Sequence, residues 1–360
     1  MIARIFCVVK FADRISIIII TIVTISIFDV NKNSLYADIT QTESDYYQQD
    51  EFVGHIHRPY AKREYTWPEH PKGKIILKTN NLGFREDSDT QITKSKDTIR
   101  ILVTGDSQID GVVYNEESMP NILEKKLSLV NQTTKFEVIN GAVGYYGSDH
   151  YFLFLNKQLV LKPDAYIVVI YSGNDFLDAS RLIEAGEDFN KRPENYMEYL
   201  QKCNCEGLLD QAMNQIYYFK TFPMMKEKVV RHVFDVLLKI NQLCKMHNID
   251  FIVIFLPTKT DVEWQTDSQR LGQVKECLHL DESDLKINRD LVIALTRQLS
   301  DIHISFLDMQ NSMEGHQTEF FWKKDYHLNA RGHAFLADRI YEIFGNRLAS
   351  HKTKRFLNLF

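Results

Sequence analysis

The sequence predicts an α/β fold, namely a three-layer α/β/α sandwich around a mostly parallel sheet of about five strands. Short apolar segments rich in β-branched residues recur along the chain, and segments with helical periodicity lie between them. The chain has 360 residues, of which 44% are hydrophobic, so it can bury one large core.

The strand segments are nearly continuous in hydrophobicity, as expected for parallel strands that are covered on both faces. They are 99–104 (IRILVT), 136–140 (FEVIN), 165–171 (AYIVVIY), 250–256 (DFIVIFL) and 303–309 (HISFLDM). Helices are predicted between them at 118–130, 148–162 and 228–247.

The amino terminus has the pattern of a targeting segment. Three basic residues precede an uncharged run at 15–28, which is followed by polar residues up to Ala37. This pattern predicts a signal peptide at 1–37 with Ala37 as the last residue removed. A retained N-terminal membrane anchor is the alternative, although the run is shorter than the roughly 20 residues of a spanning helix. Both place the protein outside the cytoplasm, in the periplasm, secreted or membrane-anchored, with any membrane association through this segment.

Differences in composition divide the rest of the chain into an arm, a main domain and a tail. Residues 38–98 predict an N-terminal arm with short strands, because this stretch is polar, aromatic-rich and interrupted by proline and glycine. The main domain is predicted at 99–346, with insertions at 176–226 and 258–301, and a C-terminal tail at 347–360. Long insertions after strand ends are where specificity elements usually lie.

Export would allow disulfides to form. Cys203 and Cys205 are separated by one residue, which would strain a mutual bridge, so we expect them to pair with Cys244 and Cys277. Unpaired buried thiols are the alternative. A zinc site is disfavoured, because paired zinc cysteines are usually separated by two or more residues.

Charge argues against one class of partner. The formal net charge of -5 and the isoelectric point near 6.2 provide no basic surplus, so nucleic acid is not an expected partner. The sequence makes no prediction of the oligomeric state.

Ser107 follows the strand segment at 99–104, so its hydroxyl is expected at the carboxyl edge of the sheet, where ligands bind in open α/β folds. A serine needs an adjacent base to become a nucleophile. Asp325 and His327 lie two residues apart, so one carboxylate can orient the imidazole that faces Ser107. His333 is the competing histidine, and we expect it to be a surface or helix-capping group.

Acyl transfer also needs hydrogen-bond donors for the oxyanion of the tetrahedral intermediate. The backbone N–H of Ser107 is one candidate. A glycine-rich turn at 140–147 supplies backbone amides after the second strand, and Asn174 offers a side-chain amide after the third.

Four sequence blocks together resemble the SGNH (GDSL-type) hydrolase family, and the segment NNLGFRED at 80–87 resembles the lead-in of its exported bacterial members. The blocks are GDS at 105–107, NGAVGYYG at 140–147, GND at 173–175 and DYH at 325–327. The resemblance implies a flavodoxin-like sheet, Ser107 as nucleophile and His327 as general base and then acid. It also implies Asp325 as the orienting carboxylate and Asn174 as an oxyanion donor.

The chain departs from the family in the glycine block, which usually runs N-x-G-x-x-G and ends on the glycine that supplies an oxyanion amide. Counted from Asn140, that place is occupied by Tyr145, and Gly144 comes one residue early. Either the loop slips so that the Gly144 amide donates, or the Tyr145 amide donates. A turn with positive φ would make the second arrangement costly.

The resulting hypothesis is a serine esterase that hydrolyses an O-acyl ester on a glycan, a small molecule or another envelope substrate. Acetyl is the acyl group that we expect first. No cofactor and no metal are implied. The alternatives are an O-acyltransferase that uses the same site and a non-catalytic glycan-binding or assembly protein. A metal-dependent phosphoesterase is disfavoured by the order of the motifs, and His55 and His57 (HIH) are expected to be structural or exposed rather than metal ligands.

Overall fold

A computed structural model describes residues 45–130, 134–186, 211–263, 268–316 and 319–350. The predicted signal peptide or anchor, Cys203 and Cys205, and the last ten residues of the tail lie outside the described residues. No helix in these ranges is both long and apolar enough to cross a bilayer.

The described part of the arm forms two antiparallel hairpins. In the first, β1 (Tyr47–Asp50) pairs with β2 (Gly54–His57), and in the second, β3 (Lys62–Thr66) pairs with β4 (Lys74–Lys78). Tyr46, Val53 and Phe84 share a buried cluster with Val143 and Phe154 of the main domain. The arm therefore packs onto the main domain and extends its core.

Five parallel strands form the central sheet, which confirms the predicted fold class. The strands are β5 (Thr98–Thr104), β6 (Lys135–Asn140), β7 (Ala165–Tyr171), β8 (Asp250–Leu256) and β9 (Ser305–Asp308). Their spatial order is β6-β5-β7-β8-β9, the flavodoxin-like order. The order reverses between β5 and β7, and ligands bind outside the strand ends at such a reversal.

Helices connect the strands. They are α1 (Ser107–Asp110), α2 (Met119–Val130), α3 (Ser148–Gln158), α4 (Asp175–Gly186), α5 (Gln211–Thr221), α6 (Met225–Met246), α7 (Lys259–Glu263), α8 (Ser268–Leu278), α9 (Ile287–Asp301), α10 (Gln310–Met313) and α11 (Ala330–Ala349). The three helices predicted from periodicity correspond to α2, α3 with the short turn after it, and α6.

The two faces of the sheet bury separate apolar clusters. Along β7, Ile167 and Val169 contribute to the cluster that also contains side chains of α2 and α11. Tyr166 and Val168 alternate with them and belong to the other cluster, with side chains of α3, α6 and α9. Helices on both faces explain why the strand segments are apolar without alternation.

The cysteines differ from the prediction in one respect. Cys244 on α6 is a free, buried thiol, so it does not pair with Cys203 or Cys205. Burial raises the pKa of this thiol and keeps it protonated. Cys277 on α8 is disulfide-bonded, and its partner lies outside the described residues.

Candidate active site

Ser107 lies at the carboxyl edge of the sheet because the chain turns sharply after β5. Asp106 caps α1 by accepting a hydrogen bond from the N–H of Gln108 at 2.9 Å, so Ser107 becomes the first helical residue. A Cβ on Gly105 would come within 2.9 Å of the Ile109 side chain and 3.2 Å of the Val169 carbonyl oxygen, so this close turn requires glycine.

Ser107, His327 and Asp325 are in hydrogen-bond contact. The Ser107 hydroxyl donates to Nε2 of His327 at 2.9 Å, and Nδ1 of His327 donates to Oδ1 of Asp325 at 2.6 Å. The same carboxylate oxygen accepts the backbone N–H of His327 at 2.7 Å. Burial raises the pKa of Asp325, but the hydrogen bonds from His327 outweigh it, so the net pKa is lowered and the carboxylate stays ionised.

Gln108 holds the loop of His327 against helix α1, a role that no sequence pattern predicted. Its side-chain Nε2 donates to the carbonyl of Tyr326 at 3.1 Å, and its Oε1 accepts the N–H of Leu328 at 3.0 Å. Gln108 is fully buried, and these two bonds flank His327 on both sides. No motif position marks this glutamine, so only the contact across 220 residues identifies it.

The glycine loop after β6 contradicts one of the two oxyanion alternatives. The N–H of Gly144 donates to Oδ2 of Asp110 at 3.1 Å, so it is engaged by a carboxylate and does not face an oxyanion. Nε2 of His55 donates to the Gly144 carbonyl at 2.8 Å, which fixes the peptide from its other side. Tyr145 adopts a φ of 69°, so the turn does require the left-handed conformation, and its ring is 55% exposed.

Asn174 follows β7 and lies in the same cleft as Ser107. Its Nδ2 donates to Oδ2 of Asp178 at 3.1 Å, and its buried Oδ1 has no hydrogen-bond partner among the described residues. Burial raises the pKa of Asp178 to about 6, against the opposing effects of Arg181 and Asn174. Burial likewise raises the pKa of Asp106 to about 7. The floor beside Ser107 is therefore a low-dielectric, polar region.

The arm completes the charge balance around the nucleophile helix. Nε2 of His57 donates to Oδ2 of Asp110 at 3.0 Å, and Nη1 of Arg85 donates to Oδ1 at 3.0 Å. Burial raises the pKa of Asp110, but His57 and Arg85 outweigh it and lower the pKa to about 2. The HIH motif therefore supplies hydrogen bonds to the protein. In the described ranges, no group of three or more metal-ligating side chains comes together.

His333 lies in the protein interior, so the expectation of a surface group is wrong. It is fully buried on α11, and its Nδ1 accepts the N–H of Met119 at 3.2 Å, which caps the neighbouring helix α2. Burial is the largest cause that lowers the pKa of His333 to about 3. The capping part of the expectation is correct, but the helix that it caps is α2.

These side chains open into a cleft of about 690 Å³. Ser107, Asn174, Tyr145 and His327 line it together with residues of the arm. Four elements that are distant in sequence thus meet at the reversal point of the sheet. The strand order confirms the flavodoxin-like sheet that the resemblance implied.

The chain matches no family model, and it matches no curated protein in sequence. Solved structures do resemble it. The acetyl xylan esterase AlAXEase is 13% identical with a TM-score of 0.42, and the alignment covers 68% of this chain and 99% of that one. A lipase/acylhydrolase from Enterococcus faecalis is 14% identical with a TM-score of 0.38, covering 69% and 96%.

The esterase EstA from Pseudoalteromonas sp., whose structure is described as inhibited by monoethylphosphonate, is 11% identical with a TM-score of 0.39. The alignment covers 72% of this chain and 98% of that one. Likenesses at this level carry no inference about activity, so the assignment of a function depends on the geometry of the site.

Proposed function

We propose that this protein is a serine ester hydrolase of the SGNH type, acting on an O-acyl ester, an acetyl ester first of all, of a carbohydrate or other envelope substrate. The contact that supports it is the hydrogen bond of 2.9 Å between Ser107 Oγ and His327 Nε2, with the other ring nitrogen on Asp325. A hydroxyl with such a base and orienting carboxylate is activated for attack on a carbonyl.

The reaction proceeds in two halves. Ser107 Oγ attacks the acyl carbonyl while its proton moves to Nε2 of His327, and the imidazolium then protonates the leaving alcohol. Water attacks the acyl-enzyme next, gives its proton to His327 and releases the acid, and the proton returns to Ser107. Asp325 remains ionised throughout and stabilises the imidazolium, in keeping with its lowered pKa.

The oxyanion hole is part of the same proposal. Ser107 is the first residue of α1, where the backbone N–H has no intrahelical acceptor. Asn174 lies in the same cleft, and its Nδ2 has two N–H groups, so it can donate a second hydrogen bond besides the one to Asp178. Because the Gly144 amide is bound by Asp110, the Tyr145 amide is the remaining candidate of the two that the glycine loop offered. Two or three such donors are what acyl transfer needs.

Labelling with a fluorophosphonate probe tests the proposal. The wild-type protein should be labelled, and Ser107→Ala should abolish the label. Ser148→Ala is the matched control, because Ser148 is another serine of the cleft, and its hydroxyl is directed to Asp149 at 3.2 Å. Hydrolysis of p-nitrophenyl acetate should fall at least about a thousandfold in Ser107→Ala. Equal labelling of wild type and Ser107→Ala would refute the proposal.

Export is a separate proposal, motivated by the basic and apolar pattern of residues 1–37. Fusing this segment to a reporter enzyme that is active only outside the cytoplasm should give reporter activity. Replacement of Ile17 and Ile19 by arginine should abolish that activity, because charges in the apolar run prevent insertion. An inactive wild-type fusion would contradict export through this segment.

A further inference from the structure

One wall of the cleft is supplied by the arm. Tyr47 on β1, Arg63 and Tyr65 on β3, and Leu77 on β4 line the same cavity as Ser107 and His327. Side chains alternate along β3, so Arg63 and Tyr65 lie on one face of the hairpin while Lys62 lies on the other and is exposed. The arm thus faces the space that a substrate of Ser107 would occupy.

Among the described residues, Arg63 is a charge of this cleft for which no counter-ion is found. The acidic groups of the lining are Asp110, which His57 and Arg85 neutralise, and Asp178, which pairs with Arg181 at 2.8 Å. None of the ion pairs within the described residues involves Arg63. Its guanidinium instead lies over the ring of Tyr65, 4.9 Å from the centroid, which restricts its motion and leaves its N–H groups for a ligand.

An aromatic ring lies at the same opening. Tyr145 is 55% exposed and adopts the left-handed conformation, which is strained for a non-glycine residue. Its ring packs edge-on against Tyr47 and His55, at 6.5 and 6.3 Å between centroids. A ring that is more than half exposed in the lining of this cleft is accessible to a ligand.

We propose that the cleft binds its ester on an anionic sugar, with the carboxylate or sulfate of the sugar on Arg63 and the face of the ring against Tyr145. The guanidinium fork matches such oxyanions in a bidentate manner, and an amphipathic tyrosine ring packs on the C–H face of a sugar. This inference rests on the proposed function at Ser107, and it specifies the class of the acylated substrate.

Three acetylated sugars that differ in the group at C6 test it. Methyl glucuronoside and methyl glucoside, each acetylated at the same hydroxyl, are compared by kcat/KM, and the 6-sulfated glucoside acetate distinguishes sulfate from carboxylate. Wild type should prefer an anionic acetate about tenfold. Arg63→Gln should abolish that preference, whereas Lys62→Gln on the opposite face of β3 should keep it. Tyr145→Gly should raise KM for both sugars, and Tyr145→Phe should restore it.

Equal kcat/KM for charged and neutral acetates in wild type, or a preference that survives Arg63→Gln, overturns the subsite. Failure of the proposed function has a different signature, namely no Ser107-dependent turnover of any ester, including p-nitrophenyl acetate. In that case, NMR titration of Ser107→Ala with the unacetylated glucuronoside and glucoside decides the question. Tighter binding of the charged sugar supports the subsite, and equal affinity overturns it.

Discussion

The carboxylate of Asp110 accepts the backbone N–H of Gly144 at 3.1 Å, and so links the helix that begins at Ser107 to the loop that follows β6. The same carboxylate also meets His57 and Arg85, which precede the sheet in sequence. One buried charge therefore holds the nucleophile helix, the glycine loop and the arm together.

Replacement of this carboxylate by an amide should be strongly destabilising. In Asp110→Asn, the guanidinium of Arg85, which is fully buried, loses its counter-ion. Breaking a buried pair in this way costs about 3–5 kcal/mol in the free energy of unfolding, measurable by urea denaturation at pH 7. Glu227→Gln is the control, because Glu227 is exposed and should leave that free energy nearly unchanged. A loss below about 1 kcal/mol for Asp110→Asn would contradict the network.

Gln108 is predicted to be a positioning residue for His327. Gln108→Leu removes the hydrogen bonds to Tyr326 and Leu328 and loosens the loop, so kcat should fall about 10- to 100-fold with little change in KM. Gln108→Glu keeps the acceptor for the Leu328 N–H and should retain more of the kcat. Kinetics are compared at equal folded protein, judged by circular dichroism. A rise in KM alone, with kcat intact, would argue against positioning.

The two histidines near the carboxyl terminus should behave differently in turnover of a small acetyl ester. His327→Ala removes the proposed base and should reduce kcat by at least about a thousandfold. His333→Gln keeps an acceptor for the Met119 N–H and should retain most of the activity per folded molecule. Equal losses in the two variants would show that His327 is not the base or that both are structural.

Burial of His333 also predicts how stability depends on pH. Its folded-state pKa is lowered to about 3, whereas an unfolded histidine titrates near about 6.5. At a pH below the unfolded-state pKa, the unfolded chain binds a proton that the folded chain does not bind. The contribution of His333 to the free energy of unfolding is therefore fully present above that pKa and declines as the pH falls below it. Between the folded-state and unfolded-state pKa values, the titration of His333 lowers the free energy of unfolding by up to about 1.4 kcal/mol for each pH unit towards acid.

The measurement is the free energy of unfolding of wild type and His333→Gln at pH 7, 6 and 5. Titrating groups shared by the two proteins cancel in the difference. Wild type should lose more stability than the variant at each step towards acid. Parallel curves would mean that His333 binds its proton equally well in the folded and the unfolded protein.

The sheet and the Ser107–His327 pairing could be predicted because both depend on local patterns. Continuous apolar segments such as 165–171 are the mark of strands buried on both faces, and parallel strands bring their carboxyl ends to one edge. A serine after the first strand of such a sheet and an Asp-x-His after the last could therefore be expected to approach each other.

The errors concern contacts between elements that no local pattern specifies. The Gly144 N–H donates to Asp110 only because the turn after β6 packs on α1. His333 is buried because α11 packs on α2. Cys244 is buried on α6, where the sequence shows only a helix with a cysteine. For Tyr145, a glycine pattern indicated that the turn needs positive φ, but not that tyrosine accepts it.

The two hairpins before the sheet belong to the smallest part of the chain that we expect to fold by itself. His57 and Arg85 precede β5, yet they balance the charge beside the nucleophile, and Val53 and Phe84 belong to the main core. An expression fragment limited to the α/β sandwich would retain Ser107 and His327. The carboxylate of Asp110 would lose its partners, and the apolar surface that the arm covers would be exposed. A stable recombinant form of this fold therefore has to begin upstream of the first hairpin.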